Sequence, residues 1–249
     1  MAHRSGWDLM GIRPIHRWQV RPCTAMRIQA RLARLVCIRP MTCQIQFVGG
    51  LDCSFDQGLG LAFGAAVVVD ANDLRPVDYA ISASRIHFPY VPGLLSFREA
   101  PAMLKAFKGL KTVPDLILVD GQGIAHPRRL GIASHIGILL DRPTIGCAKG
   151  LLIGSPSLIG QQKGDHGPIV DLDTGQVIGA GVRTRAHVRP LYVSPGHLCD
   201  LQDAIHWTIR CAGLYRIPEP LRLAHQVAGK AKRSYSGIGV RQVLPSLQI

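Results

Sequence analysis

The sequence predicts an α/β protein, a mixed sheet with helices on its faces. Two observations carry this. Three apolar or alternating runs, residues 45–55, 60–70 and 78–86, follow one another across short polar links, the pattern of hairpin-paired strands. A helix-like stretch (96–110), a short apolar strand (115–120), a second helix-like stretch (128–140) and another strand (143–149) then alternate, which places helices against a sheet. With 249 residues, 47% of them apolar, the chain can bury a substantial core.

Taken in order, residues 24–36 (TAMRIQARLARLV) carry apolar residues at helical spacing with arginines between, an amphipathic helix. The strand at 45–55 (IQFVGGLDCSF) has glycines inside it. In the helix at 96–110, Ser96-x-x-Glu99 matches a capping box. Pro101 complicates that reading, because its missing N–H would cost a helical bond. A start nearer Ala100 would leave Glu99 at the helix mouth. Beyond Gly150, residues 167–185 hold two β-like runs around an Asp-x-x-Thr-Gly turn, 190–196 is a further strand, and 201–210 and 219–232 are the last helices. No repeat, linker or low-complexity segment divides the chain. One domain is expected over 16–233, between an N-terminal extension (1–15), with Met10 as an alternative start, and a loose C-terminal tail (234–249).

Lys and Arg total 29 against 16 Asp and Glu, a net charge of +13. Such a surplus repels itself unless it meets a polyanion or an anionic lipid surface. The longest wholly apolar run, residues 61–69, falls well short of the roughly 20 residues of a membrane span, so no membrane partner is expected. The N-terminus has no apolar signal core. Seven cysteines, odd in number and without a C-x-x-C pair, argue for free thiols in a reducing, cytoplasmic compartment and against a disulfide framework or zinc site.

Asp52 lies within the first strand and Asp120 ends the central one. Aspartate is depleted from strand interiors, so each position needs a reason. The plain one is a strand edge facing water. The other is convergence: acids on neighbouring strands make an oxygen-rich site for Mg²⁺ or Mn²⁺, with room for phosphate oxygens. On spacing alone Glu99 reads as a cap before it reads as a ligand. Lys149 ends a strand, either solvated or meeting a phosphate. His126, Arg128 and Arg129 follow Asp120 closely as a basic turn suited to phosphate contacts. His225 lies mid-helix, where a buried, hydrogen-bonded histidine is the ordinary case. In Pro89-Tyr90-Val91-Pro92 two prolines stiffen an aromatic–aliphatic tip, which can be a buried turn or a wedge between bases.

Together, YVPGLLSFREAPAMLKAF, PDLILVDGQGIAHPRRLGIASHIGILLDRPTIGCAK, RPLYVSPGH, HRWQV, VGGLDCSF and PEPLRLAH resemble the endonuclease V family, over nearly all of residues 16–232. The resemblance implies an RNase H-like mixed sheet flanked by helices. It implies an Mg²⁺-dependent enzyme that nicks deoxyinosine-containing DNA at the second phosphodiester bond 3′ to the lesion, leaving 3′-hydroxyl and 5′-phosphate ends. Asp52, Glu99 and Asp120 match the metal-binding acids, with Lys149 and His225 beside them. Pro89 to Pro92 match the strand-separating wedge, and Gly93, Gly121, Gln122, Gly123 and Ile124 fall near the lesion pocket. Gln122 stands where the family usually has histidine, Gly150 where serine is usual and Leu221 where threonine is common. A monomer is expected. The alternatives are an inosine-directed ribonuclease and a damaged-DNA-binding protein that cuts nothing.

Overall fold

The apolar and alternating runs pair as the short polar links between them predict. The computed structural model describes residues 11–235. Strands β1 (Phe47–Asp56), β2 (Leu61–Asp70) and β3 (Pro76–Arg85) form an antiparallel meander. β4 (Leu116–Asp120) pairs in parallel with β1, and β5 (Thr144–Ala148) in parallel with β4. Parallel neighbours need crossovers, which α2 (Leu95–Phe107) and α3 (Ile132–Leu140) supply. β6 (Ser155–Pro156), β7 (His166–Val170), β8 (Val177–Val182) and β9 (Leu191–His197) extend the sheet by antiparallel pairing. Among the described residues the sheet has nine strands in the order β3-β2-β1-β4-β5-β9-β8-β7-β6. Its first five, an antiparallel meander of three and two more parallel to β1, make the RNase H-like arrangement. Helices α1 (Pro22–Ala33), α4 (Leu201–Arg210) and α5 (Glu219–Ser234) complete the fold.

Side chains alternate across a strand, so the sheet has a core on each face. On one face Val48, Val67, Leu118 and Ile145 pack with Ala204 and Ile205 of α4 and Leu221, Ala224 and Val227 of α5. On the other, Leu51, Val68, Ile117 and Val119 pack with Ala100, Met103 and Phe107 of α2 and Ile136 of α3. β4 is covered on both sides, which is why it reads as an unbroken apolar run.

Two expected helix starts change. α2 begins at Leu95 behind Leu94 with no side-chain cap, so Ser96 and Glu99 form no capping box and Pro101 sits inside the helix. The Ser96 hydroxyl instead meets His135 Nδ1 of α3 at 3.0 Å. Burial of Ala100, Met103, Leu104 and Phe107 offsets the bond that Pro101 cannot donate. α3 begins at Ile132, and 128–131 belong to the turn before it. Within the expected N-terminal extension, residues 1–10 lie outside the described residues; Ile12 is buried and the Arg13 N–H donates to the Leu139 carbonyl at 2.8 Å. β6 was not expected. Of the expected tail, 236–249 lie outside the described residues, while the Tyr235 ring stands edge-on to Phe63. Among the described residues no helix is long and apolar enough to cross a membrane.

Gly50 explains the glycines inside β1. α5 crosses so close that a β-carbon there would collide with the Pro220 carbonyl and the Leu221 nitrogen, backbone atoms that cannot swing aside. Gly50→Ala should therefore lift α5 from the sheet and cost about 1–3 kcal/mol of stability. Chemical denaturation checks this; an unchanged midpoint would show that α5 is not held at this distance.

Candidate active site

β4 stops at Asp120 whereas β1 runs on to Asp56, leaving a notch in the sheet. Leu51 is in register with Val119, so Asp52 and Asp120 are neighbours on adjacent parallel strands, on the same face. Lys149, just past the end of β5, reaches back to form an ion pair with Asp120. α5 covers this face and lays His225 over Asp52, Nδ1 to Oδ2 2.8 Å. Glu99 arrives from α2, which packs on the opposite face. Asp52, Glu99, Asp120, Lys149 and His225 all line one cavity of about 460 Å³. His225 is not the buried histidine that its mid-helix position suggested: 69% of its side chain is exposed, with Nε2 left for another partner.

The acids repel one another. Burial, then the charges of Asp52 and Asp120, push the Glu99 carboxyl up to about 8. Burial and the Asp52 charge also raise Asp120, against the opposing pull of Lys149. Burial by itself would lower the Lys149 ammonium, but Asp120 more than offsets it and the net direction is upward. The hydrogen bond to Asp52 raises His225. Lys149 thus leans on Asp120 and the His225 ring on Asp52, and Glu99 holds its proton up to about 8. Among the described residues no three His, Cys, Asp or Glu side chains are gathered as a set of metal ligands.

Tyr90 is presented at the rim, 71% exposed. Val91 packs on the cluster of Ala25, Phe88, Leu94 and Phe97 and anchors the turn from below. Val91, Pro92 and Gly93 line the cavity with Tyr90, and Pro89 does not. Gly93 takes a left-handed φ of +74°, and its carbonyl accepts from Gln29 Nε2 (3.0 Å), His126 Nε2 (2.9 Å) and Arg128 Nη2 (2.7 Å). His126 is buried, and burial lowers its pKa to about 4, so it is neutral and donates to a carbonyl. Arg128 also donates to Gln29 Oε1 at 2.6 Å, and Arg129 pairs with Asp171. All three point part of their donor capacity into the protein.

Gly121 and Gln122 line the cavity, with Gln122 Nε2 donating to the Gly150 carbonyl at 3.0 Å. Gly123 and Ile124 do not; their N–H groups donate to Ser194 Oγ and the Pro195 carbonyl, each at 2.8 Å. Gln29 was overlooked in the sequence. The available signal was a glutamine on the buried stripe of α1, between Ala25 and Leu32.

The Glu99 shift gives a stability prediction for metal-free protein. Above its ordinary value of 4.5 the unfolded chain has lost this proton, while the folded chain holds it to about 8. The folded state therefore binds more protons in that window, and this group makes stability fall as pH rises through it. Glu99→Gln should flatten that part of the slope and melt higher than wild type above pH 8 in EDTA. An identical pH slope in both proteins would refute the upward shift of Glu99.

A family model described as Endonuclease V matches residues 30–226. The endonuclease V of Methanothrix thermoacetophila is 46% identical over 224 residues, covering 90% of this chain and 98% of that protein. The crystal structure of Streptomyces avermitilis endonuclease V superposes with a TM-score of 0.82 at 37% identity, covering 87% of this chain and 95% of the other. Ciona intestinalis endonuclease V, solved with a 24mer DNA containing an inosine followed by a ribo-adenosine, superposes with a TM-score of 0.73 at 25% identity, covering 85% of this chain and 97% of the other. The match spans the strands that carry both aspartates and the helix that carries Glu99, and the chain belongs to the endonuclease V family.

Proposed function

We propose that this chain is a cytoplasmic, monomeric DNA-repair nuclease that nicks deoxyinosine-containing strands at the second phosphodiester bond 3′ to the lesion. The observation that carries the reading is the meeting of Asp52, Glu99 and Asp120 in one cavity with Lys149 and His225, beside an exposed Tyr90. The inosine-containing DNA held by the Ciona relative supports the choice of substrate.

The donor set suits a hard divalent cation. Three carboxylates in one cavity offer only oxygen, and the burial and repulsion that hold the Glu99 proton are what a cation relieves. Asp52, Glu99 and Asp120 would hold Mg²⁺, or Mn²⁺ in its place. Bound there, it would polarise the phosphate and lower the pKa of a water.

The remaining work falls to the chain. Water attacks phosphorus, the bond from phosphorus to the 3′-oxygen breaks, and that oxygen leaves with a proton, giving 3′-hydroxyl and 5′-phosphate. His225, fixed through Nδ1 on Asp52, has Nε2 free to exchange a proton. Lys149 places its ammonium at Asp120, within reach of phosphate charge. Tyr90, held out by the anchored turn, fills the space of the displaced nucleotide, and a weak hypoxanthine pair lowers the cost of that displacement. The extruded base enters beside Gly93, Gly121 and Gln122, where lack of a 2-amino group distinguishes it from guanine. Arg128 and Arg129 reach phosphates only with the donors that the protein leaves unused.

Inosine in RNA is the second reading. The ribo-adenosine directly after the inosine in the Ciona complex favours it, since that relative accommodates a 2′-hydroxyl next to the lesion.

Nicking of matched inosine DNA and RNA strands, with Mg²⁺ and with EDTA, tests the proposal. Faster cutting of RNA would replace DNA as the substrate, and undiminished cutting in EDTA would remove the metal. Asp120→Asn should abolish nicking and leave binding of inosine DNA largely intact, because basic groups supply much of that affinity; a folded variant that still nicks would take Asp120 off the catalytic list. For Tyr90, stacking worth roughly 1–3 kcal/mol per base predicts that Tyr90→Ala weakens inosine-specific binding about 5- to 150-fold, with Tyr90→Phe mild. Loss of thermal stability without a change in the inosine-to-undamaged affinity ratio would make Tyr90 a structural residue.

A further inference from the structure

A second exposed aromatic stands on the Lys149 side of the cavity. Arg216 Nη2 donates to the carbonyls of Lys149 (3.2 Å) and Pro190 (2.8 Å), tying the loop between α4 and α5 to the strand ends that carry the site. The loop is fastened at further points. Lys163 Nζ donates to the Ala212 carbonyl (2.7 Å), Thr184 Oγ1 to the Arg216 carbonyl (2.6 Å), and the Glu219 N–H to the Cys211 carbonyl (2.8 Å).

What this fastened loop displays is apolar. Leu214 is 82% exposed and Tyr215 51%. The Tyr215 ring is nonetheless held: the Arg222 guanidinium lies 4.7 Å from its centroid, and Glu219 fixes that guanidinium with both carboxylate oxygens. An aromatic ring kept in one place by a fixed cation, in a residue half in water, has already met the ordering cost that binding usually demands. The surroundings are basic. Arg189 stands close enough to Arg216 to repel its charge, and Glu219, the acid of the group, is already taken by Arg222. Arg189 and Arg216 beside an apolar tip match a strand that offers phosphates on one side and base faces on the other.

We infer that Tyr215, with Leu214, is a stacking platform for the nucleic-acid strand on the 3′ side of the cut. The direction rests on the proposed function. With the lesion beside Gly93 and Gly121 and the scissile phosphate at Asp120 and Lys149, the strand runs 5′ to 3′ towards Lys149, and the next anchored element is the Arg216 loop. Base stacking needs only a π-face, so the platform adds affinity without adding to inosine selectivity.

The test is fluorescence anisotropy in EDTA with two inosine-containing single strands, one continuing well past the cut and one stopping directly after it. Tyr215→Ala should weaken binding of the long strand about 5- to 150-fold and leave the short one unchanged, while Tyr215→Phe keeps wild-type affinity for both. No loss on the long strand, or an equal loss on both, overturns the platform; the first result leaves the tip to a protein partner. Melting temperatures accompany each variant, and Tyr215→Leu, which fills space without a π-face, must lose affinity for the long strand as the alanine variant does. If the Tyr215→Leu protein binds like the wild type, the ring does not stack. A wild-type chain that fails to prefer inosine over adenine overturns the proposed function instead. Undamaged single strands then read the platform, and Tyr215→Ala must still weaken their binding.

Discussion

Electrostatic repulsion among three carboxylates is the constraint on which the rest of this molecule depends. Asp52 and Asp120 are neighbours because their strands are, and α2 brings Glu99 into the same cavity. The chain answers with a proton on Glu99, an ammonium on Asp120 and an imidazole on Asp52. Such an arrangement is costly for stability and useful for chemistry, because charge that the protein has not fully neutralised is available to a cation and a phosphate.

The architecture around the cavity keeps those groups in place from several layers. β4 is buried on both faces, so Asp120 ends a strand with little freedom to shift. α5 lies on β1 at a distance only glycine permits, which fixes His225 above Asp52. On the far side, one carbonyl organises the rim. Gln29, His126 and Arg128, from α1 and the turn after β4, converge on the Gly93 oxygen. The exposed Tyr90 is therefore a rigid projection from a buried polar knot, with Val91 seated in the apolar cluster beneath it.

Two exposed aromatics, Tyr90 and Tyr215, share a design. Each is carried by a short loop whose backbone is pinned by arginine: Arg128 to Gly93 behind Tyr90, Arg216 to Lys149 and Pro190 beside Tyr215. Guanidinium groups that a surplus of +13 would assign to solvent are partly spent on making platforms for apolar rings. On the proposed function, net charge would draw a polyanion in, and the pinned rings would be what it meets.

The sequence by itself determined the elements that local chemistry dictates. Apolar runs marked β1, β2 and β4, alternation marked β3, and helical spacing marked α1 and α4, because the period of burial is written along the chain. Asp52 and Asp120 were legible as acids out of place in strands, and the family resemblance joined Glu99, Lys149 and His225 to them. Tertiary structure decided what each polar side chain touches. Ser96 looked like a cap and bonds His135, 39 residues away. His126, Arg128 and Arg129 looked like a phosphate-binding turn and face Gly93, Gln29 and Asp171. Gln29 and Tyr215 carried no local mark beyond a polar residue on an apolar stripe and an aromatic in a loop. A hydrogen bond or an ion pair is made with whatever the fold brings near, and partners that are distant in sequence leave no periodic trace in it.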